Sequence, residues 1–160
     1  MSSSNIETSP AENEVQVILF LHHTYGGAGK NQVDVARAQD GDSNSFGAVA
    51  VNDWQLTGSL DPNGQVIARA QGMHFLADRN SQPSGWFNIL AIAFQGDRFK
   101  ENSTLIAAGL NVTEGLWAII GGTGEFTNAR GTISKEKVEN NNGVGDIMKI
   151  TIKATYNPSA

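Results

Sequence analysis

At 160 residues and 17.0 kDa, the chain is long enough to bury one hydrophobic core and too short for two. It has no cysteine, which excludes disulfides, thiolate metal sites and a cysteine nucleophile. A formal net charge of −5 without a Lys/Arg cluster repels a phosphate backbone, and no apolar run is long enough to span a bilayer as a helix, so neither nucleic acid nor a membrane is an expected partner.

Residues 1 to 14 are rich in Ser, Asn and Glu, too polar to offset the entropy of ordering, and predict a flexible leader. They lack the basic start and apolar stretch of a signal peptide, which predicts a cytoplasmic protein. Val15 to His23 is a β-branched and apolar run leading into Gly26-Gly27-Ala28-Gly29, a strand followed by a mobile loop. Phe46 to Trp54 predicts a second strand. Asp61-Pro62-Asn63-Gly64 separates Trp54–Thr57 from Val66–Phe75 and predicts a hairpin, with Pro presetting φ and Asn-Gly tolerating φ > 0.

Trp86 to Phe94 and Ser103 to Leu110 are spaced like neighbouring antiparallel strands. Trp117–Ile120 runs into Gly121-Gly122-Thr123-Gly124, and a further strand begins at Ala129. A last strand, Gly145 to Tyr156, follows the Asn140–Gly143 turn, and residues 157–160 read as a tail or the start of a linker. No stretch keeps apolar residues at helical spacing over several turns, so the class is all-β, a sandwich or a barrel over residues 15–156. Closure into a barrel would remove exposed strand edges.

Familiar chemical motifs fail on inspection. Gly26-Gly27-Ala28-Gly29-Lys30-Asn31 has the wrong glycine spacing for a phosphate loop, and Asn31 stands where Ser or Thr is needed. Asp40-Gly41-Asp42-Ser43-Asn44 lacks the Gly and the closing Glu of a calcium loop. His22 and His23 are adjacent on a strand and point to opposite faces, so they do not combine with His74 into a metal site. No Ser/His/Asp arrangement is evident. No cofactor or metal is expected.

Several segments resemble the plant dirigent family. Phe20-Leu21-His22-His23 is similar to its F-x-H-D strand, Phe46-Gly47 through Asn52-Asp53 to its F-G-x-x-x-V-x-D-D strand, and Ala70-Gln71-Gly72-Met73-His74 to A-Q-G-x-Y. Ser103-Thr104-Leu105 to Gly109 resembles S-T-L-x-x-x-G. Gly121 to Gly131 resembles G-G-T-G-x-F-x-x-A-R-G, and all five occur in family order. The resemblance implies an eight-stranded antiparallel β-barrel with a central pocket, often assembled as a trimer. In relatives that direct phenoxy-radical coupling, it implies pocket acids, an arginine and a tyrosine that orient or protonate a quinone methide.

The chain departs from that pattern: His23 stands for the H-D aspartate, His74 for the tyrosine, Asn111 for a further aspartate, and no arginine lies between Gly109 and Gly121. A neutral amide cannot donate a proton as a carboxylic acid does, so the expectation is a non-enzyme. The eroded acids and Pro/Ser ending resemble the grass chimeras in which a dirigent-like domain precedes a jacalin-type lectin domain. That resemblance implies a fused C-terminal lectin domain and a carbohydrate-binding role in plant defence. Sugar recognition needs flat apolar faces and neutral hydrogen-bonding groups, and His23, Asp53, Trp54, His74, Trp86, Asn88 and Asn111 are the expected ligand-binding residues. Two other readings stand beside it: a dirigent protein directing phenoxy-radical coupling, and a module that only forms a homo-oligomer, trimer or dimer.

Overall fold

Period-two alternation carries through into nine strands: β1 (Asn13–Thr24), β2 (Gln32–Ala36), β3 (Val49–Thr57), β4 (Val66–Leu76), β5 (Trp86–Phe94), β6 (Thr104–Leu110), β7 (Leu116–Thr123), β8 (Arg130–Asn140) and β9 (Gly145–Tyr156). The computed structural model describes residues 12–111, 115–140 and 143–158. Every pairing is antiparallel, in the order β1-β9-β8-β7-β6-β5-β4-β3. Phe20↔Thr57, Leu21↔Leu56 and His22↔Gln55 join β3 back to β1, which closes an eight-stranded antiparallel barrel.

The ninth strand, β2, extends the same edge of β3: Gln32↔Asn52, Val33↔Val51 and Asp34↔Ala50 continue where β1 leaves off. Thus β1 and β2 are one barrel strand interrupted by residues 25–31. Asn31 holds the interruption together. Its Oδ1 accepts from the Thr24 amide at 2.9 Å, its Nδ2 donates to the His22 carbonyl at 2.7 Å, and its carbonyl accepts from the Asp53 amide at 3.0 Å.

Alternate residues of each strand fill the interior: Leu19 and Leu21 from β1, Trp54 and Leu56 from β3, Leu90 and Ile92 from β5, Ile150 and Ile152 from β9, all buried. Each such side chain contributes about 1.5–3 kcal/mol relative to exposure. Small residues on β4 and β6, Ala68, Ala70 and Ala107, are fully buried opposite them. At mid-barrel a Cβ on Gly72 would lie 2.1 Å from the Ile89 carbonyl oxygen, so only glycine allows β4 to approach β5 this closely.

One end of the barrel is plugged. Phe94, Phe99, Phe126 and Tyr156 pack ring against ring with centroids 4.8–5.3 Å apart. Phe126 arrives on the 3₁₀ turn Gly124–Phe126, where Gly124 has φ +62° and a Cβ would meet Ser103 Oγ at 2.6 Å. The Gly121–Gly131 segment therefore builds the plug. Trp86 and Phe94 are the two ends of β5, about 26 Å apart at strand rise, so the other mouth lies at Trp86.

Three expectations shift. The strand expected at Phe46 starts at Val49, because Gly47 takes φ +94° and the Ala48 amide turns back to the Ser45 carbonyl. The hairpin forms, but its turn is set by Asp61: Oδ1 accepts from the Asn63 amide and the carbonyl from the Gly64 amide, with neither Asn63 nor Gly64 at positive φ. Residues 1–11 of the expected leader, part of the 140–143 turn and residues 159–160 of the tail lie outside the described residues, while Asn13 and Glu14 already pair with Tyr156 and Thr155. Among the described residues no helix is long and apolar enough to cross a membrane.

Candidate functional site

The unplugged mouth holds a cavity of about 350 Å³, within the range of small-molecule sites. Parity brings His23 of β1, Ala50 and Trp54 of β3, His74 of β4 and Trp86 and Asn88 of β5 to its wall. Trp117 and Met148 contribute from β7 and β9. Tyr25, Lys30, Gln32 and Asp34 from the interruption and β2, with Ser43, Asn44 and Asn111, complete the lining.

The wall is a run of aromatic rings. Tyr25 meets His23 at 5.3 Å, His23 meets Trp54 at 4.9 Å, Trp54 meets His74 at 5.3 Å and His74 meets Trp86 at 5.1 Å between centroids. Such tilted and edge contacts are the favoured arrangements of π-systems.

The polar groups are fixed from behind. Asn52 Nδ2 donates to the Ala70 carbonyl at 2.9 Å, so its Oδ1 is the acceptor facing His74 Nδ1 at 3.2 Å. This network places the proton on Nδ1 and a lone pair on Nε2 of His74. Burial first, then the neighbouring His23, pushes the His74 pKa down to about 4, against the opposing charge of Asp34. His23 Nε2 bonds Gln32 Oε1 at 2.7 Å, and burial lowers its pKa despite that bond and the charge of Asp146. Both imidazoles are therefore neutral at pH 7. The indole N–H groups of Trp54 and Trp117 are buried and have no partner among the described residues.

Behind Asn111 and Trp117 stands a group that strand reading did not single out. Lys135 Nζ donates to Asn111 Oδ1 at 2.9 Å and lies 4.3 Å from the Trp117 ring centroid. Burial lowers its amine to about 8.

His23, Trp54, His74, Trp86, Asn88 and Asn111, expected to share a site, do line this one cavity. Asp53 does not. It sits on the outer face, where its carboxylate accepts two bonds of 2.7 Å from Arg69. His22 turns away from the cavity and is buried against Thr57, whose Oγ1 it bonds at 2.8 Å, as its adjacency to His23 requires. Tyr25, Lys30, Gln32, Asp34 and Trp117 are among the lining residues that the sequence did not single out, and Lys135 stands behind the lining, bonded to Asn111. The short alternation Gln32-Val33-Asp34-Val35 is the only sequence trace of β2, and Asp34 returns a carboxylate to a pocket that lacks one at positions 23 and 111. Among the described residues no group of three or more His, Asp or Glu side chains is arranged to hold a metal ion.

Comparison with known proteins sets this geometry in a family. The family model for dirigent-like proteins matches residues 15–155. Dirigent protein 23 of Arabidopsis thaliana is 28% identical over 134 residues, covering 81% of this chain and 70% of its own length. Pterocarpan synthase 1 of Glycyrrhiza echinata is 27% identical over 117 residues, covering 70% of this chain and 61% of its own length. The solved structure of a pterocarpan synthase dirigent protein superposes with a TM-score of 0.80 at 24% identity, covering 97% of this chain and 99% of that one.

These matches overturn the expectation of a carbohydrate-binding, lectin-type defence module with a sugar as partner and a jacalin chimera as setting. The similarity runs to dirigent proteins and pterocarpan synthases. The misreading came from treating aromatic faces with neutral amides as a sugar signature, when the same groups suit any planar ring bearing hydroxyls.

Proposed function

We propose a function from one established premise: the chain belongs to the dirigent family, whose model spans residues 15–155. It is a dirigent protein that holds a phenolic in the mouth of the barrel and directs the stereochemistry of its coupling. The observation that carries this reading is the aromatic wall of His23, Trp54, His74 and Trp86, 4.9–5.3 Å from ring to ring, with a neutral imidazole acceptor inside it. A phenyl ring enters among these faces, and a side-chain hydroxyl, which the phenoxy radical retains, donates to His74 Nε2. Asn88 and Asn111 supply further neutral contacts.

Directing a coupling asks for orientation rather than proton transfer. A radical held with one face against Trp54 and Trp86 presents only the other to its partner, and fixed geometry of this kind favours one product. The pocket's role is to position, not to catalyse, which suits side chains that are neutral at pH 7.

The three tryptophans of the chain all line the cavity, so occupancy is readable as fluorescence quenching. Titration with 4-hydroxycinnamyl alcohol should quench saturably, and Trp86→Ala should weaken binding by about 1–2 kcal/mol, the scale of lost stacking and burial. Linear, non-saturating quenching that is identical in the variant would reject the phenolic site.

A further inference from the structure

Inward positions of a barrel strand are normally apolar, and on β8 Ile133 obeys while Lys135, two residues on, does not. Lys135 is 8% exposed, and lysine is almost never buried to this degree unless paired. Among the described residues it makes one hydrogen bond, to Asn111 Oδ1, and one ring contact, with Trp117. Among the described residues no carboxylate lies within ion-pair distance of it. The other charges at this mouth, among the described residues, offset one another. Asp146, which acts on His23, is held by Lys137 at 2.7 Å, and Lys30 and Asp34 provide one charge of each sign on the rim. Among the described residues that leaves Lys135 as one cation in excess, behind a wall of neutral groups.

We propose that Lys135 makes the pocket selective for anionic phenolics, single aromatic rings whose side chain ends in a carboxylate, with the carboxylate meeting the Lys135 ammonium beside Asn111 and Trp117. The inference rests on the phenolic reading of the site. A buried ammonium with unused donor protons is costly until an anion arrives. A carboxylate is already ionised at pH 7, whereas a phenol, with a pKa near 10, is not. A charge-assisted bond of this kind adds about ten- to a hundredfold in affinity.

The test compares two probes by calorimetry at pH 7 on the full chain: 4-hydroxycinnamate and 4-hydroxycinnamyl alcohol, which share ring and carbon skeleton and differ in the terminal charge. The protein should bind the carboxylate at least about tenfold tighter, and in Lys135→Met the ratio should collapse to about one. Lys135→Gln, neutral but hydrogen-bonding, should behave as Met does and serves if Met does not fold. Equal affinity for the two probes in the unaltered protein, or a preference that survives both substitutions, would overturn the role of Lys135 while leaving the phenolic pocket standing. Binding of neither probe would remove both readings.

Discussion

At neutral pH His74 is a hydrogen-bond acceptor because burial makes its cation costly, and that cost links the site to stability. Its pKa is about 4 in the folded chain, against about 6.5 for an unfolded histidine. Between those values the unfolded chain binds more protons, so stability present above pH 6.5 is lost as pH falls toward 4. The difference corresponds to about 3 kcal/mol, and His22 and His23, both lowered mainly by burial, act in the same direction. Denaturant unfolding should therefore show stability falling from pH 7 to pH 4.5, with a visibly shallower slope in His74→Phe. A slope unchanged by that substitution would mean His74 is not the group being protonated.

Residue identity carried part of this and no more. The alternation of β1 and β4 put His23 and His74 on the faces of Leu21 and Ala70, which the barrel turns inward, and the Trp86–Phe94 strand gave its first residue to the mouth. Asp53 misled because it neighbours Trp54, although neighbours on a strand point to opposite faces. Lys135 was hidden because an inward lysine looks, in sequence, like an outward one. Only closure of the barrel distinguishes them.

At the scale of elements, the broken strand β1/β2 is the feature that makes a site. An unbroken strand would pair with β3 along its whole length and leave no room for Tyr25 and Lys30 at the mouth. Asn31 holds both ends of the break, through the Thr24 amide, the His22 carbonyl and the Asp53 amide. Asn31→Ala removes the two side-chain bonds and should cost about 1–2 kcal/mol. Amide exchange should quicken at Thr24 and across residues 25–31, while the plug residues near Phe126 keep their protection. Equal loss of protection throughout the barrel would show that the break is not a separate unit. The glycines at 26, 27 and 29 announced a loop here but not its purpose, and β2 was overlooked because five residues next to a glycine-rich loop give a weak signal. The Asp61–Gly64 hairpin was legible for a better reason: either turn chemistry, Asx or positive φ, reverses the chain at that point.

At the scale of the molecule, the most specific sequence signature and the candidate pocket lie at opposite ends of the barrel. Gly121 to Gly131 specifies the plug, through Gly124 and Phe126, which is why the fold could be recognised while the ligand class could not. The outer surface carries a second whole-molecule feature. Register places Val33, Val51, Met73, Ile89, Ala108 and Ala118 in one row across β2 to β7, and Val33, Val51, Met73 and Ile89 are 40–60% exposed. The homo-oligomer expected from the family resemblance would bury this face, since contiguous exposed apolar surface of this kind marks an interaction site. Light scattering should give a mass that is a multiple of 17.0 kDa, and Ile89→Lys should return it to the monomer value. A monomer in the unaltered protein would leave the row without that role.

The proposed function is that this pocket orients a phenolic for coupling. Its most direct test is chiral chromatography of the product formed when a one-electron oxidant acts on 4-hydroxycinnamyl-type alcohols, coniferyl alcohol first, with and without the protein. The expected result is an enantiomeric excess that rises with protein concentration and is lost in Trp86→Ala. Racemic product at every protein concentration, from a substrate that saturates the site, would contradict it.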